Sequence, residues 1–452
     1  MSEGDGETTT CNHSQEGAPP GHATDLGLVR IYPWTPNTAP LVWSVRRARL
    51  VGRSEECAVR TDDPAMSRVH AEVTPSSDGL LIEDRSRHGT FVDGVRVPGG
   101  GVRARPGSVV RCGGTLLLVV RDSARYDAPP RRLAKDFTGL AQDVLAGPAT
   151  WQTWQEATQA AKVDFPVLVL GESGSGKEVI ARVVHRAHPR SGAFVAVNLA
   201  AIPEPLFEAE LFGHARGAFT GAGTARLGAF REASAGTLFL DEVGELRSEL
   251  QVKLLRALES GSVRPLGADG DVAVDARLVT ATSRDLEAAT RSGEFRRDLF
   301  YRLSGVVIRV PPLRARRDEI LMLAADRLAR AAPGVTLSPG AAEALALRTW
   351  SGNVRELQFT LLQATLRAAA EEASTIHQRH LPEPVESAPP ARAELTEESV
   401  RAALGRTRGN ATTAARLLGV SRATLYNFCA RCGLDLSALR SEAPPVDRDG
   451  EP

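Results

Sequence analysis

The most constraining feature of the chain is the run Gly171–Glu178, GESGSGKE, set directly between the apolar run VLVL and the helical-period run EVIARVVH. Glycines at 171, 174 and 176 let backbone N–H groups turn inward at the mouth of a helix, and Lys177 supplies a positive charge there. This is a phosphate-cradling loop in its strand–loop–helix setting, with Glu172, Ser173, Ser175 and Glu178 completing the octet. The chain has only four lysines, so a flexible point charge at this position stands out from an arginine-rich background. Such a loop requires a buried parallel strand before it and a crossover helix after it, which predicts an α/β domain.

Glu178 stands where a serine or threonine commonly ligates magnesium, so the metal must lean on other groups. They are found in GTLFLDE, where the apolar strand Leu238–Leu240 ends in Asp241 and Glu242. Asp241 is expected to hold Mg²⁺ and Glu242 to polarise an attacking water, the pairing that phosphoryl transfer from ATP requires.

The whole chain is too long for one core, and its length predicts roughly three domains. Residues 1–23 have almost no large apolar side chains and read as a tail. Residues 24–123 carry short alternating runs (LVRIY, LVWSV, HAEV, LLIED, TFVDGVRV, SVVRC, TLLLVV) broken by turn residues, an all-β sandwich pattern. A linker over 124–135 leads to the α/β domain over 136–382. A second linker (383–394) precedes a small all-α segment over 395–440, and residues 441–452 read as a second tail. The formal net charge of +0 excludes a surface that clings to nucleic acid or membrane as a whole. Without a membrane-spanning run or a signal peptide, the expected location is the cytoplasm. Five scattered cysteines fit a reducing compartment, and the Cys429/Cys432 pair is read as packing, not metal binding.

The segments GESGSGKE, LFGHARGAFTGA, GTLFLDE, FRRDLFYRL and WSGNVREL, in this order, resemble the AAA+ domain of sigma-54-dependent activators. The resemblance implies a hexameric ring that couples ATP hydrolysis to remodelling of the closed complex of sigma-54 RNA polymerase. It makes Gly217, Ala218, Phe219, Thr220, Gly221 and Ala222 the loop that touches sigma-54. It pairs Asn198 with Glu242 as a switch, and it assigns Arg296 and Arg302 to the fingers that a neighbouring subunit inserts against the γ-phosphate. Arg355 becomes the nucleotide sensor of a helical lid. Where the family has asparagine after threonine at the sensor strand, this chain has Thr282 followed by Ser283, which predicts a slow ATPase in which Thr282 helps to position water.

LVGRS, SRVH and DRSRHGTFVDG resemble the forkhead-associated (FHA) domain, a phosphothreonine-binding β-sandwich. Arg53 and Ser67 match its phosphate-holding pair, and a guanidinium beside a hydroxyl suits a doubly charged phosphate. Arg68 and Arg87 add charge on the same loops, His70 is expected to brace them from inside, and His88 replaces an asparagine that grips the peptide backbone. A phosphothreonine-bearing protein or its Ser/Thr kinase is the implied partner.

Near the end, GNATTAARLLGVSRATLYNFCARCGL resembles a Fis-type helix-turn-helix. Residues 395–440 hold seven Arg against three Asp and Glu, a local net charge of +4 in a neutral chain. Ser421 caps the expected recognition helix, with Arg422, Thr424, Tyr426 and Asn427 as contacts to enhancer DNA and Arg416 and Arg431 as phosphate anchors. Together these readings predict an ATP-driven transcription activator, a homo-oligomer when active, with no membrane role. The alternative is a DNA-bound phosphopeptide adaptor whose ATPase is weakened at Ser283.

Overall fold

The computed structural model describes residues 25–35, 38–140, 143–219 and 222–384, with six further positions at 400, 401, 414, 425, 428 and 429. The chain divides into two units, residues 1–382 and 383–452.

The first unit begins with the sandwich. One sheet has six strands and the other five, and eleven short strands between Gly27 and Val120 supply them. Alternation along each strand sends one set of side chains inward, where Leu28, Val51, Val73, Ile82, Val110, Leu117 and Val119 form a shared core. The strand Thr115–Val120 departs from this rule, because all six of its residues are buried. Leu117 and Val119 face the inner core, while Leu116, Leu118 and Val120 belong to a second core on the opposite side of the sheet. A strand covered on both faces must have a partner layer there.

That layer comes from the C-terminal part of the α/β domain. Three helices, Arg317–Ala331, Pro339–Leu347 and Asn353–Ala370, form a lid, and Ile320, Leu321, Leu345, Trp350 and Leu361 join Val29, Ile31 and Leu116 in one cluster. Ser338 caps the second lid helix by accepting from the Ala341 backbone N–H, with Pro339 at its first turn.

Between sandwich and lid in sequence lies a five-stranded, all-parallel sheet. Its spatial order is Phe194–Asn198, Thr237–Asp241, Arg277–Thr282, Val167–Leu170, Val306–Arg309, so the sheet's first strand in sequence sits between its fourth and fifth. The period-2 rule divides VLVL and TLFL between two cores: Leu168, Leu238 and Leu240 pack on one face, Val167, Val169 and Phe239 on the other. Carboxyl ends of the three inner strands then converge, bringing Leu170, Asp241 and Thr282 to one edge of the sheet, where a doubly wound fold binds its ligand.

Candidate functional site

Directly beyond the strand Val167–Leu170, the phosphate loop takes the shape its glycines allow. Gly174 and Gly176 have φ of +72° and +108°, and a Cβ on Gly174 would lie 2.4 Å from the Gly352 carbonyl oxygen of the lid. Only glycine lets the loop and the lid approach so closely. Lys177 begins the following helix, Lys177–Ala187, and its side chain is only 6% exposed. Its Nζ donates to the Gly171 carbonyl (2.9 Å) and to Glu242 Oε1 (3.2 Å).

Glu242 sits just past its strand with φ of +57°, a left-handed conformation that is costly for a non-glycine residue and recurs at functional sites. Burial disfavours its charge, but the Ser283 backbone N–H, the Lys177 ammonium and the Ser283 hydroxyl together hold its carboxyl below the usual range. Both Ser283 groups donate to Glu242 Oε2, at 3.0 and 2.9 Å. Asp241 moves the other way, raised first by burial and then by the neighbouring Glu242 carboxylate. Asn198 lies beside Asp241 in register, and its Oδ1 accepts from the Ala200 N–H at 3.0 Å. Thr282 is fully buried, with its hydroxyl accepting from the Arg284 N–H, so Ser283, not Thr282, is the sensor-strand residue that touches Glu242.

Ser173–Val179, Asn198, Asp241, Glu242, Arg316 and Arg355 line one cavity of about 490 Å³. Arg355 reaches it from the third lid helix, its guanidinium donating to Ser173 Oγ at 3.2 Å. Three further lid-side residues escaped the sequence reading. Buried Arg316 donates to the Ser175 carbonyl (2.8 Å) and to Glu319 (3.0 Å). Buried Asn353 donates from Nδ2 to the Ser173 carbonyl (3.0 Å) and to Glu172 (3.1 Å), while its Oδ1 accepts from the Leu313 N–H (2.7 Å). Arg314 pairs with Glu172 and holds that carboxyl below its ordinary range. Glu178 is committed elsewhere, to Arg182 at 2.7 Å.

Arg296 and Arg302 are not in this cavity. Arg296 is exposed and paired with Asp298 at 2.7 Å, and Arg302 donates to the Leu258 carbonyl at 2.8 Å. The GAFTGA segment also stands apart. Its base is held by Gly217 N–H to Ala222 O (2.9 Å) and Ala215 N–H to Leu266 O (2.8 Å). Phe219 is 41% exposed, and its ring meets that of the buried His214 edge-on, 5.0 Å between centroids. Thr220 and Gly221, between these anchors, lie outside the described residues.

On the sandwich, one end gathers the predicted phosphopeptide residues. The Arg53 N–H donates to the Ser67 carbonyl (3.2 Å) and the Arg87 N–H to Ser67 Oγ (3.4 Å), while Arg53, Arg68, Arg87 and His88 are exposed. Buried His70 accepts from the Ser67 N–H at 3.0 Å, and burial, first among its causes, pulls its imidazole below the usual range and keeps it neutral. Gly52 is required here, since a Cβ would lie 2.1 Å from the Arg68 carbonyl oxygen. Asp93, at the other end of the sandwich, has φ of +49° and accepts from the Val109 N–H.

Of the C-terminal reader, Ala414, Leu425 and Cys429 are buried and helical. Ser421, Arg422, Thr424, Tyr426 and Asn427 lie outside the described residues, as do Arg416 and Arg431.

A phosphate loop on a parallel sheet, backed by paired acids and closed by a helical lid, defines a P-loop ATPase of the AAA+ class. Family models agree: residues 144–309 match the sigma-54 interaction domain, 314–398 the AAA+ ATPase lid domain, 49–113 the FHA domain, and 395–427 the bacterial regulatory proteins of the Fis family. The transcriptional regulatory protein GlrR of Escherichia coli K12 is 37% identical over 396 residues, covering 84% of this chain and 87% of its own. The transcriptional regulatory protein ZraR of Klebsiella oxytoca is 43% identical over 315 residues, 65% of this chain and 70% of its own. Among solved structures, NtrX from Brucella abortus in complex with ATP aligns with a TM-score of 0.48 at 31% identity, covering 64% of this chain and 67% of that one. The chain belongs to the sigma-54-dependent transcriptional regulators, as a member that carries an FHA domain in front of its ATPase and a Fis-type helix-turn-helix behind it.

Proposed function

We propose that the protein binds enhancer DNA through residues 395–440, assembles into a hexameric ring, and hydrolyses ATP to remodel the sigma-54 RNA polymerase closed complex in the cytoplasm. Phosphothreonine recognition by the FHA domain, on a partner protein or a Ser/Thr kinase, controls it. The observation that carries this reading is the Lys177–Glu242–Ser283 network. It holds a carboxylate ionised beside a phosphate-cradling loop, ready to orient a water.

The donor set suits ATP with a divalent cation. Asp241 carries a carboxylate that burial has made costly to ionise alone, and Mg²⁺ held there would offset that cost and neutralise phosphate charge. Lys177 and the inward N–H groups of Gly174–Lys177 bind phosphate, Glu242 aligns the water, and Arg355 reports the state of the pocket to the lid. Arg296 and Arg302 are turned outward in a single subunit, which fits a role in trans: each would complete the pocket of a neighbour, and hydrolysis would depend on assembly. Gly217–Ala222 projects an exposed phenylalanine from a base anchored on two sides, a form suited to pressing on a partner. Ser283 engages Glu242 directly, which speaks against the adaptor reading built on a degraded sensor.

Transcription in vitro with sigma-54 polymerase on a linear enhancer template tests the proposal. Open complexes should form with ATP, change in yield with a phosphothreonine peptide, and vanish with Lys177→Ala while DNA binding persists. Open complexes formed by Lys177→Ala would refute it.

A further inference from the structure

Between the FHA sandwich and the ATPase lid lies a continuous apolar core. Val29, Ile31, Leu116, Leu118 and Val120, from the outer face of the six-stranded sheet, pack with Ile320, Leu321, Ala324 and Leu345 of the lid helices. An outer sheet face of this composition would be unsuited to water, so the lid completes the sandwich as much as the sandwich covers the lid. Polar contacts fix the register. Arg111 pairs with Glu343 at 2.8 Å, with side chains 24% and 12% exposed, and the Tyr32 hydroxyl donates to the Leu337 carbonyl. Glu343 Oε1 is buried without a hydrogen-bond partner among the described residues, so this pair serves alignment more than stability.

The contact continues to the phosphate loop. Arg317 donates to the Gly107 carbonyl of the sandwich at 2.9 Å and lies 3.7 Å from Asp93. Its chain neighbour Arg316 donates to the Ser175 carbonyl of the phosphate loop at 2.8 Å, and Arg314 pairs with Glu172 of the same loop. The residues 314–317 therefore hold the sandwich with one arginine and the phosphate loop with two others.

We propose that the FHA sandwich and the lid are one rigid body, with residues 314–317 as the positioning segment through which the docked sandwich holds the phosphate loop in its ATP-binding shape. The sandwich is then a structural part of the ATPase. Control by phosphopeptide, which rests on the reading given under Proposed function, acts by restraining or displacing the whole body, and release of a bound inhibitor domain plays no part. The body also places the recognition residues Arg53, Ser67 and Arg87 on the same unit as the ATPase lid.

The test uses the full chain. Glu343→Arg sets two cations, one of them only half-buried, against each other across the interface, and the reciprocal exchange Arg111→Glu/Glu343→Arg restores opposite charges. Arg317→Ala removes one surface contact without disturbing the core. Steady-state ATP hydrolysis and amide hydrogen exchange over Arg317–Ala331 and Pro339–Leu347 are measured for each. The expected result is a KM for ATP raised about tenfold in Glu343→Arg, with a smaller rise in Arg317→Ala. Exchange should quicken in both lid helices, and both effects should recede to within about twofold of the parent in the double exchange. Faster turnover in Glu343→Arg would reveal a brake and overturn the proposal. So would an unchanged KM with unchanged exchange, or a raised KM that persists in the double exchange. Phosphothreonine-peptide binding, measured separately, tests the recognition loops alone: its loss in the parent protein would sink that reading and leave the KM comparison standing.

Discussion

At the nucleotide cavity Lys177 is buried and already bonded to the Gly171 carbonyl and to Glu242, whereas Arg53, Arg68 and Arg87 at the end of the sandwich stand in solvent. Among the described residues their guanidinium groups make no hydrogen bond or ion pair. Both places offer cations to a phosphate, but the cavity meets it with charges fixed in advance in a poor dielectric, and the loops meet it with charges that water and salt screen. The first arrangement fits chemistry, where a group must be in place before the reaction. The second fits reversible docking of a charged peptide, with each arginine contributing modestly.

The sharpest way to break this contrast is Lys177→Ala. It strips Glu242 of its cation in a buried setting and should lower ATP turnover by about 10²–10³-fold, read as phosphate release. A loss of only a few fold would mean that the cavity is no more preorganised than the surface. Next comes Arg53→Ala, expected to weaken a phosphothreonine peptide by about 10–100-fold, with a parent affinity that falls as salt is raised while the KM for ATP changes little. Equal salt sensitivity at both sites would erase the distinction.

Ser283→Ala should have a smaller effect, a slowing of about 2–10-fold. The Ser283 hydroxyl favours the ionised form of Glu242, so its removal raises that carboxyl, and the acid limb of the ATPase pH profile should move to higher pH. A profile that stays in place would show that Ser283 does not tune Glu242. Smallest is the pH response of the sandwich. His70 is held neutral by burial, so as pH falls below 6.5, the ordinary value, the unfolded chain takes up a proton that the folded one refuses. Thermal stability of the sandwich should decline between pH 6.5 and its lowered native value, and His70→Gln should flatten that decline.

How much of this was legible in the sequence depended on distance along the chain. The phosphate loop and the Asp241–Glu242 pair are local patterns, written within eight and two residues, and the structure brings them to one edge of one sheet. Arg314, Arg316 and Asn353 act on the phosphate loop from 142, 141 and 180 residues away, and nothing in a basic run such as RARRDE distinguishes a buried arginine from a solvated one. A signal for docking was present, however. TLLLVV has no polar alternate, and a strand whose outer face met water in a free sandwich should show one. What the run could not disclose was its cover, because the lid residues that meet it, such as Ala324, Ala341 and Leu345, are ordinary helix formers. Thr282 and Ser283 make a similar point on a smaller scale: the strand ends at Thr282, whose side chain is buried, and it is the residue just past the strand end, Ser283, that meets Glu242.

The most direct test of the account is Phe219→Ala in the full chain, with ATP turnover and open-complex formation by sigma-54 polymerase followed in the same reaction. Turnover within about threefold of the parent, together with loss of open complexes, is the predicted result, since the ring would vanish from the exposed tip while the cavity stays intact. Open complexes formed at the parental rate would contradict it, because hydrolysis would then be reaching the polymerase by some route other than Gly217–Ala222.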